Sequence, residues 1–522
     1  MSLLVPVLIG LMSIILPGFF LALALLRKTN LSMFEIAAIG FIFGMIFPPT
    51  MIWLESYLIP LSPIFAFSNN LYNANVVILT IIGIVLSIQQ GAFSEGLPKL
   101  FPSSARLIKK GMERDYRKRI ASLRERISEL GTDIKIIKEH QKEEQDLTDR
   151  HKDELALLDN AGTEEKRKIT ESHAEQERQL FEKHEVEEQQ LIARTSGSES
   201  KSNVNIVWIA LLAIMVITFA TRMLSIGTAS NYFEFDPYFD MISTQYILTY
   251  GYQLYTEHAA WPMLVNGTVH RIQPIVPYLE AYWYNLAGSN PSSSAINTTL
   301  LSNVSSWYPP LTAALLVFIV FMFLYHEYGE FEAIIGAGLA AVMPVLLTTF
   351  IAGEQLLEPW GIFALIFFYA TYLLAVNNPK ELRFAVLAGI AFASNFLGAH
   401  YYTVPAGILS MYILFQGLVN VFKKEDTKDF FRMNLVIIGI IILFYALYGP
   451  YNASLASRTP GIFNIPVIIS FPLAALAFVA LFEHLPRIAK DRNIKPVGAY
   501  SCTVMNSGED GVVNFTLSAI YE

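Results

Sequence analysis

Apolar runs dominate this chain. Eleven of them approach or reach the length that crosses a bilayer, about 20 helical residues for a hydrocarbon core of ~30 Å. They are Leu3–Leu26, Phe34–Leu54, Val76–Ile88, Val204–Thr221, Tyr308–Tyr325, Ala333–Phe350, Pro359–Val376, Phe384–Phe396, Val404–Val421, Leu435–Tyr448 and Ile465–Phe482, three of them short. Tyr57–Phe67 carries two prolines and has the look of a re-entrant rather than a spanning segment. The pattern predicts an all-α fold, a polytopic transmembrane helical bundle of about 11 spans.

Polar periodicity takes over between the third and fourth runs. Tyr116, Ile120, Leu123, Ile127, Leu130, Ile134 and Ile137 alternate steps of four and three, a heptad seam in a field of Arg, Lys and Glu. Asn160-Ala161-Gly162-Thr163 then stops one helix and caps the next, with Glu164 and Glu165 in its first turn. Both ends of the insert return to the membrane, so Ser104 to about Ala193 reads as an antiparallel coiled-coil hairpin, with Ser196–Asn203 as its exit linker. A solvated spacer and an arm for a coiled-coil partner or self-association fit the heptads equally. The resulting organisation is a three-span membrane unit at 1–100, the hairpin and linker at 101–203, a second transmembrane region at 204–490 holding a large loop at 223–307, and a polar tail at 491–522.

Charge supports the topology. Charged residues make up 16% of the chain, against roughly 25% for a soluble protein. Of the 82, 43 lie between Phe101 and Ser200, leaving too few elsewhere to solvate a globular surface. A soluble enzyme and a disordered scaffold are excluded. Alternating the spans puts Arg27, Lys28, Lys380, Arg383, Lys423, Lys424, Lys428, Arg432, Arg487 and Lys490 inside with the coil; the outer loops hold no lysine and only Arg222, Arg271 and Arg458. That bias sets the N-terminus outside and the coil in the cytoplasm. The first run lacks a basic leader and is followed by Arg27-Lys28, so it reads as a span rather than a cleaved signal. A net charge of −8, with the coil's basic residues matched by acidic ones, leaves no nucleic-acid footprint. Cys502 is the single cysteine, which excludes a disulfide framework and a thiolate metal cage.

Three polar constellations fall on the outer side. In Phe233-Glu234-Phe235-Asp236-Pro237-Tyr238-Phe239-Asp240, three carboxylates sit among aromatics. Such oxygens suit a hard divalent cation, and the Asp-Pro step equally suits the start of a helix. In Ala352-Gly353-Glu354-Gln355-Leu356-Leu357-Glu358-Pro359, Glu354 and Glu358 would share a helical face, where like charges repel unless a cation or proton lies between them. Pro359 argues instead for a helix beginning there, with two solvated boundary glutamates. The third, Asn395 to Thr403, offers His400 and Tyr401, suited either to a phosphate or to the aromatic belt at the interface.

From about Asn203 to residue 490 the order of these features resembles the STT3-type catalytic subunit of oligosaccharyltransferase, including its archaeal relatives, a family of the GT-C membrane glycosyltransferases. The likeness rests on Phe235-Asp236-Pro237-Tyr238-Phe239-Asp240 after a span, on Tyr308-Pro309-Pro310 at the next helix entry, on Ala352-Gly353-Glu354-Gln355-Leu356-Leu357-Glu358 with Gly361-Ile362-Phe363, and on Leu397-Gly398-Ala399-His400-Tyr401-Tyr402. It implies transfer of a glycan from a lipid-linked oligosaccharide diphosphate to the asparagine amide of Asn-x-Ser/Thr in an acceptor protein. It further implies an Mg²⁺ or Mn²⁺ cofactor that offsets charge on the leaving diphosphate. By matched position Asp236 would serve metal and acceptor amide and Glu358 would be a metal ligand, with Glu354 a substitute for the motif's first acid. Asp240, Arg271, His400 and Tyr401 are further candidates for binding the substrates. Membrane lipids surround the chain, and the archaeal-like setting implies the plasma membrane with the active site outside.

The chain departs from the family pattern in places. Leu356 stands where the second motif has its first acid, and Asp240 where many relatives carry His or Asn. The chain stops after the counterpart of the eighth family helix, and no Trp-Trp-Asp occurs in it, so a truncated or inactive form is expected. Asn266, Asn297, Asn303 and Asn452 each begin an Asn-x-Ser/Thr triplet on the outer side. Two rivals stand beside this reading: another GT-C transferase, resembling protein O-mannosyltransferases, that uses a polyprenyl-phosphate sugar and one carboxylate base; and a non-enzymatic membrane scaffold acting through its coiled coil.

Overall fold

The computed structural model describes residues 4–29, 31–92, 98, 142–143, 147, 151, 200–224, 236–253, 256–257, 268–269, 273–288, 296–353, 357–399, 402–422, 427–447, 466–491, 500–504 and 515–519. The coiled-coil hairpin, apart from four positions in it, lies outside them. The described residues form an all-α polytopic bundle. Eight helices are long and apolar enough to cross a membrane, and Leu382–Gly398 and Ile468–Glu483 are shorter apolar helices. Two antiparallel hairpins accompany them: β1 (Thr256–Glu257) with β2 (Thr268–Val269) in the 223–307 loop, and β3 (Tyr500–Val504) with β4 (Phe515–Ala519) in the tail.

The chain divides into two units. The larger comprises Met1–Leu100, Ala213–Leu324 and Ile335–Glu522. It opens with α1 (Leu4–Leu26), α2 (Met33–Ser56) and α3 (Asn69–Gln89). Ser32 and Glu35 form a reciprocal capping box at the start of α2: the Ser32 N–H donates to Glu35 Oε2 at 2.7 Å, and the Glu35 N–H to Ser32 Oγ at 3.3 Å. Glycines explain how α1 and α2 come together. A Cβ on Gly18 would collide with the Gly40 carbonyl, and one on Gly44 with the Ile14 carbonyl. Gly40-x-x-x-Gly44 thus lets two backbones approach closely inside the membrane.

Helix α3 begins seven residues before the apolar run that betrays it, because Ser68 caps it by accepting from the Leu71 N–H at 3.2 Å. Its first turns are rich in asparagine, which hid them from the hydropathy pattern. These asparagines are structural. Asn75 Nδ2 donates to Glu55 Oε2 at 2.7 Å, Asn73 Oδ1 accepts from the Tyr282 hydroxyl at 2.7 Å, and Asn69 Oδ1 accepts from Asn285 Nδ2 at 3.0 Å. At the other end of α3, Gln90 accepts from Arg27 through its carbonyl and from Arg383 through its side chain. Residues 57–67 fold as turns and a three-residue 3₁₀ helix, Pro63–Phe65, rather than as a span.

Further along run α4 (Ser200–Met223), α5 (Asp236–Tyr250), α6 (Ile275–Leu286), α7 (Thr298–Ser305), α8 (Tyr308–Glu327), α9 (Glu330–Val342) and α10 (Pro344–Thr349). The expected span Ala333–Phe350 is therefore broken in two. Met343 adopts ψ 122°, outside the helical range, because it precedes Pro344. The remainder is α11 (Leu357–Asn377), α12 (Leu382–Gly398), α13 (Thr403–Phe422), α14 (Lys428–Leu447) and α15 (Pro466–Asp491). Aromatic contacts join α11 to α12, with Phe368 edge-on to Phe392 at 5.1 Å. The buried Tyr372 hydroxyl, donating to Asn434 Oδ1 at 3.0 Å, joins α11 to α14. In the smaller unit, Phe101–Leu212 with Tyr325–Ile334, Trp208 lies against Tyr325 at 5.8 Å.

Candidate functional site

Two acid-bearing segments define the site, and each is anchored by its own helix. Asp236 is the first residue of α5, and Pro237 behind it is buried. The helix starts at the Asp-Pro step, where a proline costs no intrahelical hydrogen bond. Asp240 lies on the same helix. The far end of α5 is pinned. Gly251 takes φ +83°, and its carbonyl accepts from the Phe67 N–H at 2.8 Å. Along its length α5 packs on α6, where Thr244 Oγ1 donates to Glu280 Oε2 at 2.8 Å. Glu280 is 3% exposed. Burial pushes its carboxyl up to about 8, only partly opposed by the Thr244 hydrogen bond.

The second segment enters α11. Glu358 is the second residue of that helix and is half-buried. Gly353 supplies the turn in front of it at φ +107°, a conformation that L side chains rarely adopt. The helix start is held by Trp360, which is fully buried and donates from Nε1 to the Ser394 carbonyl at 3.0 Å. Gly398 leaves space for that indole ring, since a Cβ there would overlap it.

Arg222, at the end of α4, connects the two. Its carbonyl accepts from the Ala352 N–H at 3.0 Å. Its guanidinium donates to the Thr218 carbonyl at 3.1 Å and to the Ala341 carbonyl at 3.0 Å. The 223–235 stretch leading to Asp236 and the 352–358 stretch leading to Glu358 therefore set out from one hydrogen-bonded junction. The sequence showed Arg222 as one of three outer arginines, without a role.

The other sequence-derived candidates are placed unevenly. Glu354, Arg271, His400 and Tyr401 lie outside the described residues, as do the side chains of Asp236 and Asp240. Among the described residues no group of three or more His, Cys, Asp or Glu side chains gathers as a metal cluster. Glu358 fits a hard cation by its chemistry and its half-buried position at a helix start. Asn395 adds a residue that the motif contained without assigning. It is fully buried, and its Oδ1 has no hydrogen-bond partner among the described residues, leaving an acceptor for an N–H group or a water.

These features define a polytopic helical membrane protein with an acidic turn at the entrance of each of two helices. Among known proteins it is similar to STT3-type subunits of oligosaccharyltransferase. It is 27% identical over 189 residues to the dolichyl-diphosphooligosaccharide–protein glycosyltransferase subunit STT3 of Dictyostelium discoideum, a match over 35% of this chain and 25% of that protein. It is 23% identical over 288 residues to the STT3A subunit of Oryza sativa subsp. japonica, over 54% of this chain and 35% of that protein. The chain thus spans between a quarter and about a third of the length of these curated relatives. The archaeal oligosaccharyltransferase AglB of Archaeoglobus fulgidus, solved with an inhibitory peptide and a dolichol-phosphate, aligns with a TM-score of 0.45 at 18% identity, over 56% of this chain and 35% of that one. No protein-family model matches the chain.

Proposed function

We propose that this chain is the membrane part of an oligosaccharyltransferase, transferring a glycan from a lipid-linked diphosphate to asparagine in Asn-x-Ser/Thr. In that reaction the bond from the sugar to diphosphate oxygen breaks, a C–N bond forms, and the amide gives up one proton to a base. An amide nitrogen is a poor nucleophile, so carboxylates must engage its N–H groups and position it. Asp236 takes that role. Asp236 and Glu358, with Glu354 as a further donor, hold Mg²⁺ or Mn²⁺, which when bound supplies positive charge beside the leaving diphosphate. Asp240, Arg271, His400 and Tyr401 line the way for the substrates. The site faces the outside of an archaeal-like plasma membrane, the N-terminus lies on the same side, and the coil reaches into the cytoplasm.

The observation that carries this reading is the Arg222–Ala352 junction, from which both acidic segments depart. Similarity to the STT3 subunits supports it. The experiment uses the purified full chain, a lipid-linked oligosaccharide diphosphate and an Asn-x-Thr peptide. Glycopeptide should form with the parent protein, and Asp236→Ala or Glu358→Ala should abolish it, as should a divalent-metal chelator. Equal rates for the parent and Asp236→Ala would refute the assignment.

A further inference from the structure

We propose that a groove between α1 and the helices α4, α6 and α8 holds the hydrocarbon chain of a bulk bilayer lipid, entering sideways from the leaflet that contains the N-terminal half of α1. The cavity measures about 360 Å³ and is lined by apolar side chains. Gly10, Leu11 and Ile14 of α1 form one wall; Phe219 of α4, Trp283 of α6 and Trp307 close the others.

Its contents follow from its lining. An apolar cavity of about 150 Å³ stays dry and takes up benzene, because water there finds no polar partners. This groove is more than twice that size, and among the described residues its lining offers water little beyond the indole N–H groups of Trp283 and Trp307. Its depth fits a lipid chain. From Val7 to Ile14 the helix advances ~10 Å at ~1.5 Å per residue, which stays within one leaflet of a ~30 Å core. The mouth opens outward, with Val7 54%, Leu11 42% and Trp307 49% exposed. Phe219 and Trp307 meet at 5.8 Å across it, and tryptophans at such a rim suit the headgroup level. Gly10 keeps the floor open. A Cβ there would meet Leu286 at 3.5 Å, an ordinary contact, so the missing side chain leaves room without relieving a clash.

The lining also selects among occupants. Among the described residues it has no charged side chain, and ~10 Å of groove along α1 takes up an acyl chain but only a short piece of a polyprenyl tail. A chain lying in a concave groove is contacted on several sides, where the convex lipid-facing helices touch it on one.

The test reconstitutes the full chain in phosphatidylcholine vesicles doped with phosphatidylcholine carrying a diazirine midway along one acyl chain, irradiates them, and maps the adducts by peptide mass spectrometry. Labelling of residues 7–14 and 304–311 should exceed, several-fold, that of the exposed α13 residues Val404, Met411 and Phe415. V7W, at the exposed rim, should lower groove labelling to the α13 level while leaving the thermal midpoint unchanged. Uniform labelling of groove and α13 would overturn the proposal. So would displacement of the label by polyprenyl diphosphate but not by unlabelled phosphatidylcholine, which would make the occupant a donor tail. Protection of the groove together with chemical cross-linking into dimers would assign it to a second copy of the chain.

Discussion

The Ala352 N–H and the Arg222 carbonyl, 130 positions apart in the chain, meet at 3.0 Å. The bond ties the last turn of a spanning helix to the turn that feeds the next acidic segment. Neither residue is a candidate to touch a substrate. Their contact nevertheless fixes where two carboxylate-bearing stretches begin.

Ala352→Pro removes the donor of that bond while keeping the turn small and apolar. The orphaned carbonyl should cost ~1–3 kcal/mol. A displacement of about 1 Å at a reacting group can cost ~10²-fold in rate. Glycopeptide formation should therefore fall far more than the loss of thermal stability accounts for, with helix content by circular dichroism unchanged.

Gly353→Ala places a Cβ on a residue at φ +107°. The strain is expected to cost ~1–3 kcal/mol. A lowered thermal midpoint in detergent would show it, and Ala399→Gly serves as a control for small-residue changes nearby.

Glu280 makes the 223–307 loop sensitive to pH. Its carboxyl is held up to about 8 in the fold, against an ordinary value of 4.5. The folded state therefore retains a proton that the unfolded chain has lost between those values. Stability is full below about 4.5 and declines as pH rises toward 8, by up to ~1.4 kcal/mol per pH unit. Thermal midpoints measured from pH 5 to 9 should fall across this window for the parent and stay flatter for Glu280→Gln, which keeps an acceptor for Thr244.

Gly44→Leu drives a side chain into the α1 backbone at Ile14. Overpacking typically costs ~1–3 kcal/mol, and here the obstacle is main chain, which cannot move aside like a side-chain tip. The first two helices should separate, read out as faster proteolysis of the 27–32 turn. Leu8→Ala, on an exposed face of α1, should leave that rate unchanged.

Each of the eight membrane-length helices coincides with an apolar run, because a lipid-facing helix must be apolar throughout, whereas α5, α6 and α7 leave no such run. Hydropathy misjudges helices whose polar residues are satisfied inside the protein. The apolar run starts at Val76 while α3 starts at Asn69, because Asn69, Asn73 and Asn75 are polar residues bonded by Asn285, Tyr282 and Glu55. The α9–α10 break falls within a continuous apolar run, where the geometry imposed by Pro344 on Met343 outweighs hydropathy. At the site, the helix starts at Asp236 and Glu358 were legible from their prolines. The buried Glu280, the arginine junction and the Trp360 anchor were not. Each depends on a partner distant in sequence, and spacing within one segment carries no trace of it.

The asparagines of α3 also impose an order on biosynthesis. Asn73 and Tyr282 are 209 residues apart, and Asn69 and Asn285 are 216 apart. At ~5–20 residues per second, α3 emerges roughly 10 to 40 s before α6 exists to bond it. During that interval the nascent membrane hairpin must hold its amides against lipid headgroups, relying on the glycine-mediated fit of α1 with α2. A lesion in that early fit would act as a maturation defect, stranding newly made protein before the loop ever docks.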